Sequence, residues 1–266
     1  MAEADHTPVL FDKPFVLSIG PQHGGSATLE VYLRGRGDIA LPADVKEIFY
    51  FDRHFQRGAG FYASHFYPED THIAVMELAT TAFDNPEAPA RARELLGPDV
   101  RLLCPLRHPV VRAYRGYQDF KRYGIVSGDL EDAVQQAPQI LFASHYAEHL
   151  GRWTEIFGRQ ALTILIAEEM EISPEHALTA LCRALGWPYI PPSQEFLKML
   201  RRNDDHATWY GAVKERLLGK SVKDMRRLEK KKKEMAWLND RLGTEISKLE
   251  AFLDRKLPAW SADYMR

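Results

Sequence analysis

The chain has little of several features that would assign it to a specialised class of protein. Its 266 residues include only two cysteines, Cys104 and Cys182. Two distant thiols do not make a disulfide framework, so the sequence favours a reducing compartment, and we expect a cytoplasmic location. The first residues are acidic and polar, unlike a signal peptide. No apolar run approaches the ~18 residues that a membrane helix needs, so no transmembrane segment is predicted.

An excess of charge of one sign is also lacking. Lys and Arg total 35 and Asp and Glu total 37, which gives a formal net charge of −2. This balance gives no overall reason to expect a nucleic-acid or membrane partner, and we predict no nucleic-acid binding. His and Cys do not cluster at the spacing of metal ligands, so no metal site is predicted. The composition, 45% hydrophobic and 27% charged, is typical of a globular chain.

Short apolar segments alternate with helical stretches along most of the chain. The predicted buried strands are Pro14–Ile19, Ile48–Phe51, Ile73–Met76, Val100–Cys104 and Leu162–Ile166. The predicted helices run from Ser26 to Leu33, from Pro86 or about a turn later at Pro89 to Leu96, from Pro109 to about Tyr123, and from Ser173 to about Gly186. Strands that alternate with helices favour an α/β fold with a largely parallel sheet.

The last quarter of the chain has a different pattern. From Met235 onward, apolar residues recur at intervals of three and four through Leu249, which predicts one face of a long helix that ends before Pro258. We therefore divide the chain into a loose arm (1–12), an α/β domain (13–210) and a helical extension (211–266). The extension is expected to pack on the domain, although its stripe also allows a homodimer through this helix.

The turn after the first predicted strand is rich in glycine. Gly20 and Gly25 have the spacing of the outer glycines of a nucleoside-triphosphate P-loop, but Ser26 and Ala27 stand where that motif has its lysine and hydroxyl. This argues against a kinase or a GTPase. Small residues still let backbone N–H groups approach an anion, and the N-terminus of the following helix favours one. The alternative is a tight turn without a ligand.

Four segments, in this order, resemble motifs of the PAPS-dependent sulfotransferases (PAPS is 3′-phosphoadenosine 5′-phosphosulfate). Gly20–Leu33 resembles the 5′-phosphosulfate loop, and Lys46–Asp52 resembles the K-E-x-x-[FY]-F segment of the heparan-type carbohydrate enzymes. Leu106–Tyr114 is similar to the 3′-phosphate motif L-R-x-P-x-x-R-A-x-S, and Tyr146–Trp153 to a Y-x-x-x-L-x-x-W helix. The likeness covers about residues 14–190.

The resemblance implies a P-loop-like three-layer fold and a reaction that needs no metal. A sulfuryl group would pass from PAPS to a hydroxyl or amine of a small-molecule or carbohydrate-like acceptor, leaving the product PAP (3′,5′-ADP). Glu47 would be the base. If Lys46 and Glu47 share a strand, Lys46 points to the opposite face. Lys46 is otherwise a candidate to contact the donor or the acceptor, the alternative being a side chain in solvent. The phosphosulfate would be held by His23 and by the turn Gly24, Gly25, Ser26, Ala27 and Thr28, and the 3′-phosphate by Arg107 and Arg115.

The chain departs from the family pattern at four of these positions. His23 replaces the loop lysine, Ala27 replaces a loop hydroxyl, Leu78 replaces the lysine of the G-E-K-S-P segment, and Arg115 replaces a serine. His23 supplies the charge of a lysine only when it is protonated, so we expect transfer to fall as the pH rises through its pKa. The alternatives are a protein that binds a nucleotide or partner without transfer, and an enzyme with a different donor.

Other residues are assigned lesser roles. His65 and Glu77 are reserve acid–base candidates, while Tyr114 and Tyr117 are expected to be packing residues. The run Lys230–Lys233, which follows Lys220, Lys223, Arg226 and Arg227, is interpreted as the solvated face of the terminal helix. The resemblance also allows it to close over the nucleotide, and its charge allows it to engage an acidic acceptor or an anionic lipid surface.

Overall fold

The computed structural model describes residues 10–203 and 222–261. At the centre of the described part lies a five-stranded sheet whose strands are all parallel, in the order β2-β3-β1-β4-β5. The strands are β1 (Phe15–Ser18), β2 (Ile39–Ala40), β3 (Ala74–Leu78), β4 (Arg101–Leu106) and β5 (Leu162–Ile166). Parallel strands place all their carboxyl ends on one edge of the sheet, where ligands of α/β proteins bind.

Helices connect the strands and cover both faces of the sheet. They are α1 (Ser26–Arg36), α2 (Gly58–Ala63), α3 (Ala88–Leu96), α4 (Pro109–Arg122), α5 (Leu130–Gln136), α6 (Gln139–Phe142), α7 (Tyr146–Phe157), α8 (Ala167–Ile172), α9 (Pro174–Leu185), α10 (Gln194–Asn203) and α11 (Val222–Leu253).

Alternate residues of each strand pack on opposite sides of the sheet. Leu17 and Leu102 lie in a core that contains Trp153 of α7. Their neighbours, Val16 and Leu103, lie in a second core with residues of α1, α9 and α10. A period of two along a buried strand produces these two layers of contact. The predicted three-layer α/β architecture is therefore confirmed.

The predicted strand Ile48–Phe51 is wrong. The chain is a loop up to Phe49, which has a left-handed φ of 54°, and a π-helical turn covers Tyr50–His54. Tyr50 and Phe51 are consecutive, yet both are buried in the same core. A strand sends neighbouring side chains to opposite faces, so an apolar pair on one side requires a helical turn. One edge strand of the sheet is instead β2. Its two residues are too few to give a recognisable pattern in the sequence.

Helix α11 packs on the rest of the chain. Met235, Leu238 and Leu242 are buried in a third core with residues of α4, α5 and α6, and Leu249 reaches the core that contains Trp153. These side chains therefore pack against other parts of the same chain. A homodimer through this helix stays a prediction. Lys230, Lys232 and Lys233 are exposed, as expected for a solvated face.

Some predictions concern residues outside the described ranges. Most of the loose arm (1–12), the boundary at residue 210 and Lys220 lie there, and the side chains of Lys223, Arg226 and Arg227 are not described either. The division into domains therefore stays a prediction. In the described residues, no helix combines the length and apolarity needed to cross a membrane.

Replacing Leu242 with alanine is expected to destabilise the whole fold, because Leu242 is fully buried between α11 and its neighbours. The free energy of unfolding should fall by about 2–5 kcal/mol in a denaturant titration. Asp240→Ala, on the exposed side of the same helix, should change it by less than about 0.5 kcal/mol. Equal effects of the two substitutions would show that the extension is not part of the core.

Candidate active site

Four of the five strands deliver polar side chains to the carboxyl edge of the sheet. The glycine turn follows β1, Thr80 follows β3, Arg107 and His108 follow β4, and Glu168 lies at the start of α8 directly after β5. These segments are far apart in sequence, and the parallel sheet brings them together. This edge is where a ligand site is expected in such a fold.

The glycine turn packs tightly against β4. A Cβ atom on Gly20 would lie 2.5 Å from the carbonyl oxygen of Pro105, and one on Gly24 would lie 2.6 Å from the same oxygen. Such distances are impossible for a side chain, so only glycine fits here. The next residue, Gly25, has a φ of 116°, which also favours glycine. The turn is therefore held in one place on the sheet.

Helix α1 begins directly after this turn. Gly25 stands at the N-cap position, so no side chain caps the helix, and its first turn contains no acidic residue. The first N–H groups of a helix have no partner within it and carry a partial positive charge. The geometry therefore suits an anion, and anion binding at this turn stays a prediction. The two hydroxyl residues at the start of this helix, Ser26 and Thr28, are both buried.

His23 lies in the same turn with a left-handed φ of 67°. Its Nδ1 is 3.5 Å from a carboxylate oxygen of Asp119 on α4. Burial, together with the nearby guanidinium of Arg112, nonetheless lowers the pKa of His23 to about 4. The expected protonated imidazole is thus not the form that the ligand-free protein holds at neutral pH.

Glu47 is held by a residue that the sequence analysis missed. The Thr80 hydroxyl donates to Oε1 of Glu47 at 2.7 Å. The other carboxylate oxygen, Oε2, is buried without a hydrogen-bond partner among the described residues. Burial raises the pKa of this carboxyl above its ordinary value. An oriented carboxylate with one free oxygen and a raised pKa is suited to accept a proton.

A second carboxylate lies deeper in the fold. Glu77 of β3 is fully buried, and its Oε2 accepts a 2.6 Å hydrogen bond from the Tyr62 hydroxyl. Burial raises the pKa of Glu77 to about 7. Because the side chain has no exposure, Glu77 cannot meet an acceptor directly. The other reserve candidate, His65, contacts the Phe61 ring edge-on.

Lys46 does not share a strand with Glu47, because residues 46–49 form a loop. Its ammonium points to α1 and lies 3.4 Å from Oε2 of Glu30. The side chain is about half exposed. The premise that Lys46 and Glu47 sit on opposite faces of a strand is therefore wrong, and the contact of Lys46 with a donor or acceptor stays a prediction.

The arginines of the 3′-phosphate motif differ in their contacts. Arg107 places Nη2 2.7 Å from Oε1 of Glu171 and Nη1 3.8 Å from Oε1 of Glu168. Arg112 donates to the Ser144 hydroxyl at 2.6 Å and to the Ile140 carbonyl, so it joins α4 to α6. These two guanidinium groups are both buried.

Arg115 is the exception among these arginines. Its Nε and Nη2 atoms are buried, and neither has a hydrogen-bond partner among the described residues. Burial and the charge of Arg107 lower its pKa to about 10, so it stays charged at neutral pH. The neighbouring Tyr114 and Tyr117 are buried and lie near Glu234 of α11, which agrees with a packing role.

A cleft of ≈ 390 Å³ lies beside the glycine turn. Its lining includes the polar side chains of His23, Asp52 and Thr80 and the apolar side chains of Phe120 and Ile125. The volume is in the range of small-molecule sites. A larger cavity, ≈ 740 Å³, lies beside β5 and α9 and contains none of the predicted site residues.

Several residues of the site were not predicted. Thr80 and Asp52 line the cleft, and Glu168 and Glu171 hold Arg107. The position of Thr80 just past a predicted strand was a usable signal. The acidic segment after the strand Leu162–Ile166 was another, but its pairing with a residue 64 positions away was not visible in the sequence.

The architecture matches that of a solved structure. A crystal structure of a sulfotransferase from Alicyclobacillus acidocaldarius superposes with a TM-score of 0.66, covering 94% of this chain and 99% of that one at 20% identity. The chain therefore has the sulfotransferase fold. No protein-family model matches the sequence.

The chain is also similar in sequence to known proteins. The bifunctional heparan sulfate N-deacetylase/N-sulfotransferase 1 of Caenorhabditis elegans is 27% identical over 195 residues, which are 67% of this chain and 22% of that protein. The human bifunctional heparan sulfate N-deacetylase/N-sulfotransferase 2 is 26% identical over 275 residues, 93% of this chain and 30% of that protein. The chain thus spans about a quarter of the length of these relatives. The predicted resemblance to sulfotransferases is confirmed.

Replacing Gly24 with alanine is expected to displace the turn, since the added carbon would meet the backbone of both Pro105 and Pro21. The free energy of unfolding should fall by about 1–3 kcal/mol. Gly151→Ala is the matched control, because it lies in α7 with nothing near its Cβ. That substitution should stabilise the protein by about 0.5–1 kcal/mol in the same denaturant titration. A Gly24→Ala protein as stable as wild type would contradict the packing described.

Proposed function

We propose that this chain transfers a sulfuryl group from PAPS to a hydroxyl or amine of a small-molecule or carbohydrate-like acceptor and releases PAP. The proposal rests on one observation: the glycine turn and the residue that holds Glu47 both line the same cleft. His23, from the anion-binding turn, and Thr80, which holds the carboxylate Glu47, line the same cavity. The homology to sulfotransferases supports the same reaction.

The donor is held by main-chain groups more than by side chains. The N–H groups at the start of α1 suit the phosphosulfate, and the turn Gly24–Thr28 presents them without a competing cap. The guanidinium groups of the 3′-phosphate motif suit the phosphate on the ribose. PAPS supplies an activated sulfuryl group and a phosphate leaving group.

Glu47 acts on the acceptor in this scheme. The acceptor oxygen or nitrogen forms a new bond to sulfur while the bond from sulfur to the bridging phosphate oxygen breaks. The proton of the acceptor passes to Oε2 of Glu47, the oxygen that has no hydrogen-bond partner among residues 10–203 and 222–261. Negative charge that develops on the leaving phosphate oxygen is stabilised by the N–H groups of the turn and by His23.

The reaction is tested by replacing Glu47 with glutamine, which keeps the oxygen that accepts from Thr80 but cannot take a proton. Transfer of labelled sulfate from PAPS to a panel of hydroxyl and amine acceptors should fall by about 10²–10⁴-fold. Binding of 3′,5′-ADP, measured by calorimetry, should change little. In wild type the rate should fall as the pH drops through the raised pKa of Glu47, because only the ionised carboxylate is a base.

The matched control is Glu94→Gln, an exposed residue of α3, which should transfer at the wild-type rate. A folded wild-type protein that binds neither 3′,5′-ADP nor PAPS would contradict the proposal. Tight binding of 3′,5′-ADP without transfer to any acceptor would favour a binding protein of this fold, and tight binding of ATP alone would favour another donor.

The role of His23 predicts a pH dependence of donor binding. A bound phosphate favours the imidazolium, so binding should take up a proton and strengthen as the pH falls from 8 towards the ligand-free pKa of about 4. His23→Lys carries its charge throughout, so it should bind 3′,5′-ADP about tenfold more tightly at pH 8 and with less proton uptake. Calorimetry in buffers of different ionisation enthalpy measures that uptake. Equal uptake by both proteins would contradict the role.

A further inference from the structure

Strand β5 forms one edge of the sheet. It pairs with β4 on one side, and no strand of the described ranges lies on its other side. Successive residues of a strand direct their N–H and C=O groups to opposite sides, so an edge strand presents some of these groups to a partner. With five residues, β5 has the length of an ordinary strand. Its outer side therefore offers a place for one more strand.

The cavity of ≈ 740 Å³ follows this edge. Its lining includes four consecutive residues of β5, Leu162–Leu165. It also includes Phe252 and Leu253 at the end of α11, which pack on the core that contains Trp153, and Ala177 of α9, which lies in the second core. The two cores are on opposite faces of the sheet, so helices flank the strand from both faces. We call this cavity the edge groove.

The two sides of the edge groove differ in the size of their side chains. Helix α9 contributes three alanines, Ala177, Ala180 and Ala184, and the last two are exposed. The opposite side carries the larger Phe252 and Leu253. A strand alternates its side chains between two faces. The edge groove therefore fits a strand with large apolar residues towards α9 and smaller residues towards the end of α11.

The flanking helices also distinguish an added segment from a second copy of the chain. Paired strands lie about 4.8 Å apart. A second β5 would bring its own α9 and α11 to the same line, and close-packed helices of the two copies would meet before the strands could pair. An extended segment carries no such helices. The shape therefore favours a peptide segment of a partner protein.

The charges at the two ends of the edge groove are unequal. Arg159, exposed just before β5, lies over the Phe252 ring at 4.6 Å from its centroid and has no carboxylate partner among the described residues. At the other end, Arg255 is 3.4 Å from Oε1 of Glu169, so these two charges compensate each other. A carboxylate beside the amino end of β5 would therefore complement the groove.

We propose that the edge groove binds an extended segment of a partner protein as one more strand of the sheet. The segment runs antiparallel to β5, the slightly more stable arrangement, and has an acidic residue at its carboxyl end, next to Arg159. Main-chain hydrogen bonds supply the affinity of such strand addition, and alternate side chains supply its specificity. This site goes beyond the proposed function, because the groove contains none of the residues assigned to the reaction.

The test uses the full chain and a labelled peptide of sequence I-T-I-T-I-D with blocked ends. Its isoleucines suit the side of α9, and its aspartate falls on the side of Phe252 and Arg159. Fluorescence anisotropy should show saturable binding. A peptide with lysine in place of aspartate should bind about three- to tenfold more weakly, and one with N-methylated amides should not bind. Bound peptide should slow hydrogen exchange in residues 162–166.

Variants of the chain locate the binding. Ala180→Trp fills the edge groove and should abolish binding, whereas Ala90→Trp, at an exposed position of α3, should not. Arg159→Glu should reverse the preference, so that the lysine peptide binds more tightly than the aspartate peptide. Arg183→Glu changes an exposed residue of α9 outside the lining and should keep the original preference. Circular dichroism and melting curves confirm that each variant is folded.

Other occupants of the groove give different results. A dimer of wild type in sedimentation analysis that Ala180→Trp dissociates would assign the groove to a second copy and overturn the proposal. An N-methylated peptide that binds as tightly as its parent would indicate an apolar pocket without strand pairing, and would overturn it as well. Folded wild type that does not bind the parent peptide, or equal binding by Ala180→Trp, would have the same consequence.

Discussion

The close contact between the glycine turn and Pro105 is the constraint on which the rest of the site depends. The N–H of Ile19 bonds to the carbonyl of Leu103 at 2.8 Å, so the chain leaves β1 alongside β4 and must then pass over Pro105. Because Gly20 and Gly24 have no side chains, the turn lies directly on that residue. The N-terminus of α1 is thereby fixed beside the residues that follow β4.

Behind that turn, two carboxylates compensate the charge of Arg107. Glu168 and Glu171 follow the neighbouring strand and hold Arg107, and the indole of Trp260 completes the partners of Glu168. Trp260 comes from the end of the chain, after the long helix α11. The C-terminal part of the protein therefore contributes a hydrogen bond to one of the carboxylates that hold Arg107, although it lies far from the glycine turn in sequence.

The sequence predicted those features that depend on local patterns. Strands β1, β3, β4 and β5 appear as short apolar runs, and the glycine turn appears as a motif. The strand predicted at Ile48–Phe51 is wrong, because an apolar run suits a π-helical turn as well as a strand. Only the packing shows that Tyr50 and Phe51 share one core. The sequence also could not reveal that Glu171 holds Arg107, or that Nε and Nη2 of Arg115 have no hydrogen-bond partner in the described part of the chain. Both facts depend on contacts between segments that only the folded sheet brings together.

We propose that the carboxyl edge of the sheet, at the turn Gly24–Thr28 and the start of α4, binds the nucleotide donor. Hydrogen exchange followed by mass spectrometry, with and without 3′,5′-ADP, tests it most directly, because bound ligand slows the opening of the backbone that it contacts. Exchange should slow in peptides that cover this turn and residues 107–116, and it should stay unchanged around the cavity beside α9. Protection beside α9 with no change at the turn would contradict it.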